Sequence, residues 1–263
     1  MEKIGRKTRH LLNKLSRAFA VYNMVDEGDR IAVAISGGHD SMSLLHLLQL
    51  RQAIVPQKYD LVAVHILGES AGPDAYIQHQ PLIDWIKSRG VEYVIEPMKM
   101  AEGEKLPMDC YRCSWNRRST IFQVANRLGC SKIAFGHHLD DMVETALMNL
   151  LYQGRVASMY PCASYFKGAF HLIRPLVYIS KKELNNFAIR SNLPDPPPQC
   201  PRADISKRKA ISDILTLDDQ SYQNMRMNIF RATMNHMEME DRMKGESEEQ
   251  DLEWLEEMKD QED

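Results

Sequence analysis

Residues 31–41 read Ile31-Ala32-Val33-Ala34-Ile35-Ser36-Gly37-Gly38-His39-Asp40-Ser41. Five consecutive apolar residues are what a strand covered on both faces requires. Ser36-Gly37-Gly38 breaks the run, and Ser41 to Arg51 continues as a helix. A buried strand, a glycine turn and a helix in immediate succession make one half of a parallel α/β unit, and the rest of the chain repeats the alternation.

Upstream, residues 6–24 carry Leu11, Leu12, Leu15, Phe19 and Tyr22 at helical spacing, ahead of a turn at Glu27-Gly28-Asp29. Downstream, strands are expected at Tyr59–Ile66, Val91–Ile95 and Lys132–Gly136. Helices are expected at Ala75–Ser88, Ser114–Leu128 and Asp140–Tyr152. A last strand is expected at Pro175–Ile179, then a helix at Lys181–Ser191 capped by Ser180. Helical residues 204–235 follow a Pro194-Asp195-Pro196-Pro197-Pro198 stretch. The pattern predicts an α/β fold: a doubly wound parallel sheet with a small helical C-terminal extension. Right-handed crossovers place every strand-to-helix turn at one sheet edge, where ligands bind in such folds.

Composition narrows the class. The 263 residues hold no apolar run long enough to span a membrane, and the basic N-terminus lacks the apolar core of a secretory signal. A soluble cytoplasmic protein is expected. Five cysteines, an odd number with one CxxC, suit a reducing compartment and thiolate chemistry rather than disulfides. The net charge of −3 is unevenly spread: residues 237–263 carry −10 and the other 236 residues +7. Lys3, Arg6, Lys7, Arg9, Lys14 and Arg17 crowd the first 18 positions. Such a body suits a polyanionic partner, and such a tail suits a solvated end.

Three motifs carry chemistry. The Ser36–Ser41 loop is neither a Walker A loop nor a GxGxxG fingerprint. Its glycines let the backbone approach an anion, and the following helix offers free N–H groups and a positive dipole end. Cys110-Tyr111-Arg112-Cys113 forms the second motif, with Cys200 far downstream. Spacing alone leaves an iron–sulfur cluster, a zinc site and a dithiol redox pair open. Cys130 precedes a buried strand and reads as a core thiol. The third motif, Gly136-His137-His138-Leu139-Asp140-Asp141, lies at a strand end. Asp140 there is either a helix N-cap or, with Asp141, a holder of Mg²⁺ on phosphates.

The SGG-x-DS loop after an apolar strand resembles the PP-loop of ATP pyrophosphatases, which cleave ATP between the α and β phosphates. The stretches LSRAFAVYNMVDEGDRIAVAISGGHDSMSLLHLL, CYRCSWNRRSTIFQVANRLGCSKIAFGHHLDDMVETALMNLLYQG and IRPLVYISKKELNNFA resemble the tRNA 2-thiocytidine synthetase (TtcA-like) family. The resemblance spans about residues 10–215 with three motifs in order. It implies ATP binding by Ser36, Gly37, Gly38, His39, Asp40 and Ser41, with Gly136 and His137 beside them. It implies catalytic roles for Asp40, Asp140 and Asp141, with Mg²⁺ near the last two. It also implies a [4Fe–4S] cluster on Cys110, Cys113 and Cys200, and tRNA phosphates held by Arg117, Arg118, Lys207 and Arg208.

Two positions depart from the family. His39 stands where relatives carry lysine, and an imidazole near pH 7 lacks the permanent charge of an ammonium. Pro197 stands where many relatives carry a further cysteine.

The implied organisation is a basic helix (1–24), an ATP-binding domain with the CxxC (25–180), a helical region with the third cysteine (181–236) and an acidic tail (237–263). The implied activity is transfer of AMP to the O2 of a tRNA pyrimidine, expected to be an anticodon-loop cytidine, and its replacement by sulfur. The sulfur donor is a cysteine desulfurase or free sulfide, and a homodimer is compatible. Two alternatives use the same parts: thiolation of a uridine or another substrate, and a cluster- or sulfide-binding protein that lost ATP turnover through His39. A lysidine-forming relative has no use for the three cysteines.

Overall fold

The computed structural model describes residues 4–68, 79–100, 108, 110–198, 210–211, 215 and 224–242. The chain divides into two compact units. Residues 1–140 with 160–206 form the first, and residues 141–159 with 207–263 the second.

The first unit is built on a six-stranded sheet. Its strands are β1 (Asp29–Ala34), β2 (Tyr59–Leu67), β3 (Glu92–Pro97), β4 (Lys132–Ala134), β5 (Cys162–Tyr165) and β6 (Phe170–Ile173). Their order is β3-β2-β1-β4-β6-β5. All neighbours pair parallel except β5, which runs antiparallel along the outside of β6. β1 sits centrally, with Val33 opposite both Ala63 and Ala134, and its apolar run is fully buried. This is the doubly wound sheet that the alternating pattern predicts.

Helices α1 (Arg6–Val21), α2 (His39–Gln52), α3 (Gln80–Ser88), α4 (Cys110–Arg127) and α6 (Lys181–Arg190) complete this unit, and α5 (Leu139–Gln153) starts at its boundary. Ala32, Ala34, Val62, Val64 and Ile66 form one core with Ile121, Val124 and Ala125 of α4. Side chains alternate along a strand, so Ile31 and Val33 serve the opposite face. α2 packs on β1 and also meets α1 and α6. Burying such side chains is worth about 1.5–3 kcal/mol each and fixes the register of the central strands.

Three elements differ from the sequence expectations. Pro175–Ile179 is not a strand; it is a buried turn touching the sheet through one bridge, His138 to Leu176. An apolar run reads alike as a strand or a buried turn, and Pro175 has no N–H to give a ladder. The sheet ends instead in the β5–β6 hairpin, whose four-residue strands of mixed polarity carry almost no pattern. α4 begins at Cys110, four residues before the expected start, so the CxxC lies in its first turn.

In the second unit, α5 continues from Asp141, and residues 224–242 are helical. Phe230, Met234 and Met237 are buried. The Ser158 N–H donates to Met237 Sδ at 3.3 Å, and Ser158 Oγ donates to the Met142 carbonyl at 2.7 Å. Helix thus continues six residues into the stretch read as a tail. The remainder of that tail lies outside the described residues. No helix among the described residues is long and apolar enough to cross a membrane.

Candidate active site

Parallel pairing brings the carboxyl ends of β1, β2 and β4 to one edge, and the motifs converge there. After β1, Gly37 takes a φ of +95°, a left-handed conformation that suits glycine. Space demands glycine as well: a methyl group on Gly37 would lie 2.9 Å from Pro197 Cδ and 3.0 Å from Leu82 Cδ2. Gly38 is the N-cap of α2, and no side chain caps that helix end. Its first N–H groups keep the positive potential that attracts an anion. The two serines chiefly shape the loop. Ser41 Oγ donates to the Gly38 carbonyl at 2.9 Å and accepts from the Ser36 N–H at 3.2 Å.

His65 fixes the end of β1 from the neighbouring strand. Its Nδ1 donates to the Ile35 carbonyl at 2.7 Å. Burial holds the His65 pKa below the ordinary imidazole value despite that hydrogen bond, and Arg117 and His79 lower it further. A neutral ring with its proton on Nδ1 meets both constraints.

β4 leads into Gly136, where a methyl group would lie 2.9 Å from Ser41 N, 3.0 Å from Ser41 Cα and 3.1 Å from the Asp40 carbonyl carbon. Only glycine lets the β4 end approach the start of α2 so closely. The close approach unites Asp40 and Asp140 around buried His138. His138 Nε2 is 3.7 Å from Asp40 Oδ2, and its Nδ1 is 3.8 Å from Asp140 Oδ2. Asp140 Oδ2 accepts the Lys181 backbone N–H at 2.7 Å, so it holds the start of α6 as well as opening α5. Lys181 Nζ lies 2.6 Å from Asp40 Oδ2. Asp40 Oδ1 is buried and accepts no hydrogen bond from the described residues. His137 turns aside and stacks on Phe135 at 5.7 Å. Asp141 is the next residue of α5 and half-buried; successive helical positions diverge by about 100°.

Lys181 owes its position to the start of α6. Ser180 accepts from the Glu183 N–H while Glu183 accepts from the Ser180 N–H, a complete capping box. Lys14 on α1 adds an ion pair to Glu183 at 2.7 Å. Burial raises the Glu183 pKa, but Lys14 and the Ser180 groups outweigh it and hold the carboxyl below its usual range. The capping box is visible in the sequence as Ser180-x-x-Glu183, and it puts Lys181 first on its helix. Its partner Asp40 is 141 residues away, and no sequence signal joins them.

α4 brings the cysteine pair to the same edge. Positions 110 and 113 are one turn apart on one helix face. Cys113 is half-buried against the core. One turn further on, a side chain on Gly68, just past β2, would collide with the Arg117 guanidinium. Arg117 therefore turns toward the ligand edge, whereas Arg118 is exposed on the outer side of α4. Cys130 is a core residue, and burial raises its thiol pKa; burial raises that of Cys162 too. Both are held toward the thiol form, which is the wrong form for a metal ligand.

The Cys110 side chain, Cys200, Lys207 and Arg208 lie outside the described residues. The segment leading to Cys200 is described up to residue 198. The Asp195 carbonyl pairs with His79 Nε2 at 2.9 Å, and the Pro197 ring covers Gly37.

A family description of the PP-loop domain matches residues 2–194. A tRNA-cytidine(32) 2-sulfurtransferase of Erwinia tasmaniensis is 35% identical over 245 residues, covering 88% of this chain and 78% of the relative. One from Geobacter metallireducens is 35% identical over 240 residues, covering 88% and 91%. Among solved structures, a U34-tRNA thiolase from Methanococcus maripaludis with its [4Fe-4S] cluster superposes with a TM-score of 0.73. It is 23% identical, and the match covers 88% of this chain and 80% of that one; this likeness shows the fold. By sequence, from the SGG-x-DS loop to the RPL segment before α6, the chain belongs to the PP-loop ATP pyrophosphatases, in the tRNA 2-thiocytidine synthetase family.

Proposed function

We propose that the chain is an ATP-dependent tRNA sulfurtransferase that activates the O2 of a cytidine, in the manner of the 2-sulfurtransferases it resembles, and replaces it with sulfur. The observation that carries this reading is the convergence, on one sheet edge, of an uncapped anion-binding loop, the Asp40–Lys181–Asp140 group and the helix that begins with the cysteine pair. A lysidine-forming enzyme needs the first two and not the third.

The reaction has two difficulties, and different residues meet them. The O2 oxygen is a poor leaving group. Attack by that oxygen on the α-phosphorus of ATP expels pyrophosphate and leaves the base adenylated. Addition of sulfide at C2 then breaks the C2–O2 bond, and the oxygen departs within AMP. The Ser36–Ser41 loop receives the phosphates on backbone N–H groups at the start of α2. Lys181 places a full positive charge at that same point, where relatives carry the lysine that His39 replaces. A cation fits beside Asp40, whose buried Oδ1 has no hydrogen bond from the described residues, and Asp40 with Asp140 would hold Mg²⁺ to offset charge on departing pyrophosphate.

The second difficulty is keeping sulfide at the site. Cys110, Cys113 and Cys200 would hold a [4Fe–4S] cluster, and what such a cluster supplies when bound is an iron free to hold the sulfur nucleophile. Half-burial of Cys113 and the Pro197 cover over Gly37 fit a site shielded from water, which would otherwise hydrolyse the adenylated base. The target base must leave its stack to enter. We place the enzyme in the cytoplasm, taking sulfur from a cysteine desulfurase or from free sulfide.

AMP release by anaerobically prepared protein tests this reading and the part played by Lys181. Wild-type protein should form AMP only with unmodified tRNA present. Lys181→Gln should raise the KM for ATP about tenfold with little change in kcat, because a charge-assisted contact to phosphate is lost. Adding His39→Lys to that variant should restore most of the affinity. An unchanged KM would remove Lys181 from the phosphate site. AMP formation indifferent to tRNA would contradict the function.

A further inference from the structure

α4 leaves the cysteine pair carrying a second pattern on its outer side. Tyr111, Trp115, Arg118 and Phe122 occupy positions i, i+4, i+7 and i+11, which is one face of a helix. Tyr111 is 75% exposed and Trp115 47% exposed. The Arg112 guanidinium lies 5.0 Å over the Trp115 ring. The buried face of the same helix, with Asn116, Thr120 and Val124, already serves the core. Phe122 packs against the core at the lower end of that face, whereas Tyr111, Trp115 and Arg118 are exposed.

The stripe continues onto the β5–β6 hairpin. Phe166 packs edge-on against Phe122 at 5.4 Å and yet is 67% exposed. Its backbone is unusual. Phe166 and Lys167 have φ of +52° and +56°, the left-handed region at two successive non-glycine residues. Gly168 follows with φ of +88°, so three of the four residues of the 166–169 loop are left-handed, a conformation that glycine and asparagine tolerate and bulkier side chains adopt at a cost in stability. Keeping Phe-Lys instead leaves an exposed ring and an ammonium at the tip, beyond what the turn itself needs.

We propose that this stripe, from Tyr111 through Trp115 and Arg118 to Phe166, is the surface on which the unpaired bases of the tRNA loop stack while one of them enters the active site. The inference rests on the tRNA sulfurtransferase reading above. Unpaired bases are held by stacking on aromatic rings and guanidinium planes, with cations on the intervening phosphates. The stripe supplies both groups in alternation. From Tyr111 to Phe122 it runs about 16 Å, at a helical rise of 1.5 Å per residue. That is roughly the length of five stacked nucleotides at about 3.4 Å each. Its upper end is the first turn of α4, where the cysteines lie, so a strand lying along it delivers a base to the site without reversing direction.

The experiment measures tRNA affinity of the anaerobic, cluster-loaded full chain, with ATP KM and cluster absorbance as controls. Trp115→Ala should weaken tRNA binding about tenfold and Trp115→Phe should recover most of it, because stacking needs a ring rather than an indole. The double variant Phe166→Asn, Lys167→Gly is the sharper case. It should keep or raise the melting temperature, since the turn is relaxed, and still bind tRNA several-fold more weakly. Arg118→Ala should reduce the slope of log affinity against log salt by about one. Wild-type affinity in Trp115→Ala and in the hairpin variant would overturn the inference while leaving the sulfurtransferase reading intact. Unchanged tRNA affinity with loss of self-association, or with loss of sulfur uptake from a protein donor, would assign the stripe to a protein partner and equally overturn it. Wild-type protein that binds no tRNA would remove both readings together.

Discussion

Cys113→Ala is expected to abolish thiolation, lowering it by at least about a thousandfold, while ATP affinity stays within a few-fold of wild type. The size follows from removing one member of a group that works as a unit, where losing any member costs about as much as losing all. The separation of effects follows from the fold. Cys113 sits in the first turn of α4, whereas the proposed phosphate site is at the start of α2, after a different strand. Anaerobic protein should be brown before the substitution and depleted of iron after it. Cys130→Ala and Cys162→Ala are the matched controls, since burial holds both thiols toward the protonated form. Iron content and thiolation should survive in each. Full thiolation by Cys113→Ala would remove the cysteine pair from the chemistry.

Gly136→Val is expected to suppress ATP-dependent activity about a hundredfold or more, although the residue need not touch substrate. A Cβ at this position meets the Ser41 nitrogen at 2.9 Å and the Ser41 Cα at 3.0 Å. These are backbone atoms of the α2 start and cannot rotate away. Either β4 or the start of α2, the proposed phosphate site, must move, and a displacement of about 1 Å in a positioned site costs on that order. Gly136→Ala should show the same defect in milder form. Gly90, where a Cβ meets open space but φ is +67°, provides the contrast. Its alanine variant should lose a little stability and keep ATP affinity. Isothermal titration with ATP separates the two cases, and unimpaired binding by Gly136→Val would refute the close-approach argument.

How far the sequence reveals this molecule depends on the distance over which its signals act. The β1–loop–α2 unit is legible because a fully buried strand, a glycine turn and a helix start are consecutive in the chain. Ser180 is legible as a cap for the same reason, its partner Glu183 being three residues on. The β5–β6 hairpin is not, because two short strands of mixed polarity lie beside a more apolar turn at 175–179 that attracts the strand assignment. The start of α4 is misread because Cys110 to Cys113 has no apolar periodicity.

At the site, the motif residues are legible and their pairing is not. Lys181 meets Asp40, and His138 stands between Asp40 and Asp140, through contacts that only the sheet topology creates. Arg117 and Arg118 look equivalent in sequence, yet a helical step of about 100° sends one over Gly68 and the other to the surface. His39, the conspicuous departure from the family motif, is the clearest case. Read alone, it suggests a weakened phosphate site. In the folded chain, the ammonium of Lys181 stands 2.6 Å from the carboxylate next to it.

The proposed function is that one active site adenylates a tRNA cytidine and replaces its O2 with sulfur. The measurement that tests it most directly is an anaerobic reaction of cluster-loaded protein with ATP, sulfide and unmodified tRNA, followed by mass spectrometry of the digested nucleosides and assay of AMP. The expected result is 2-thiocytidine at a single position, with one AMP and one pyrophosphate formed per sulfur gained and none in the absence of tRNA. Sulfur found in uridine alone, or AMP and pyrophosphate formed with no sulfur gained, would contradict it.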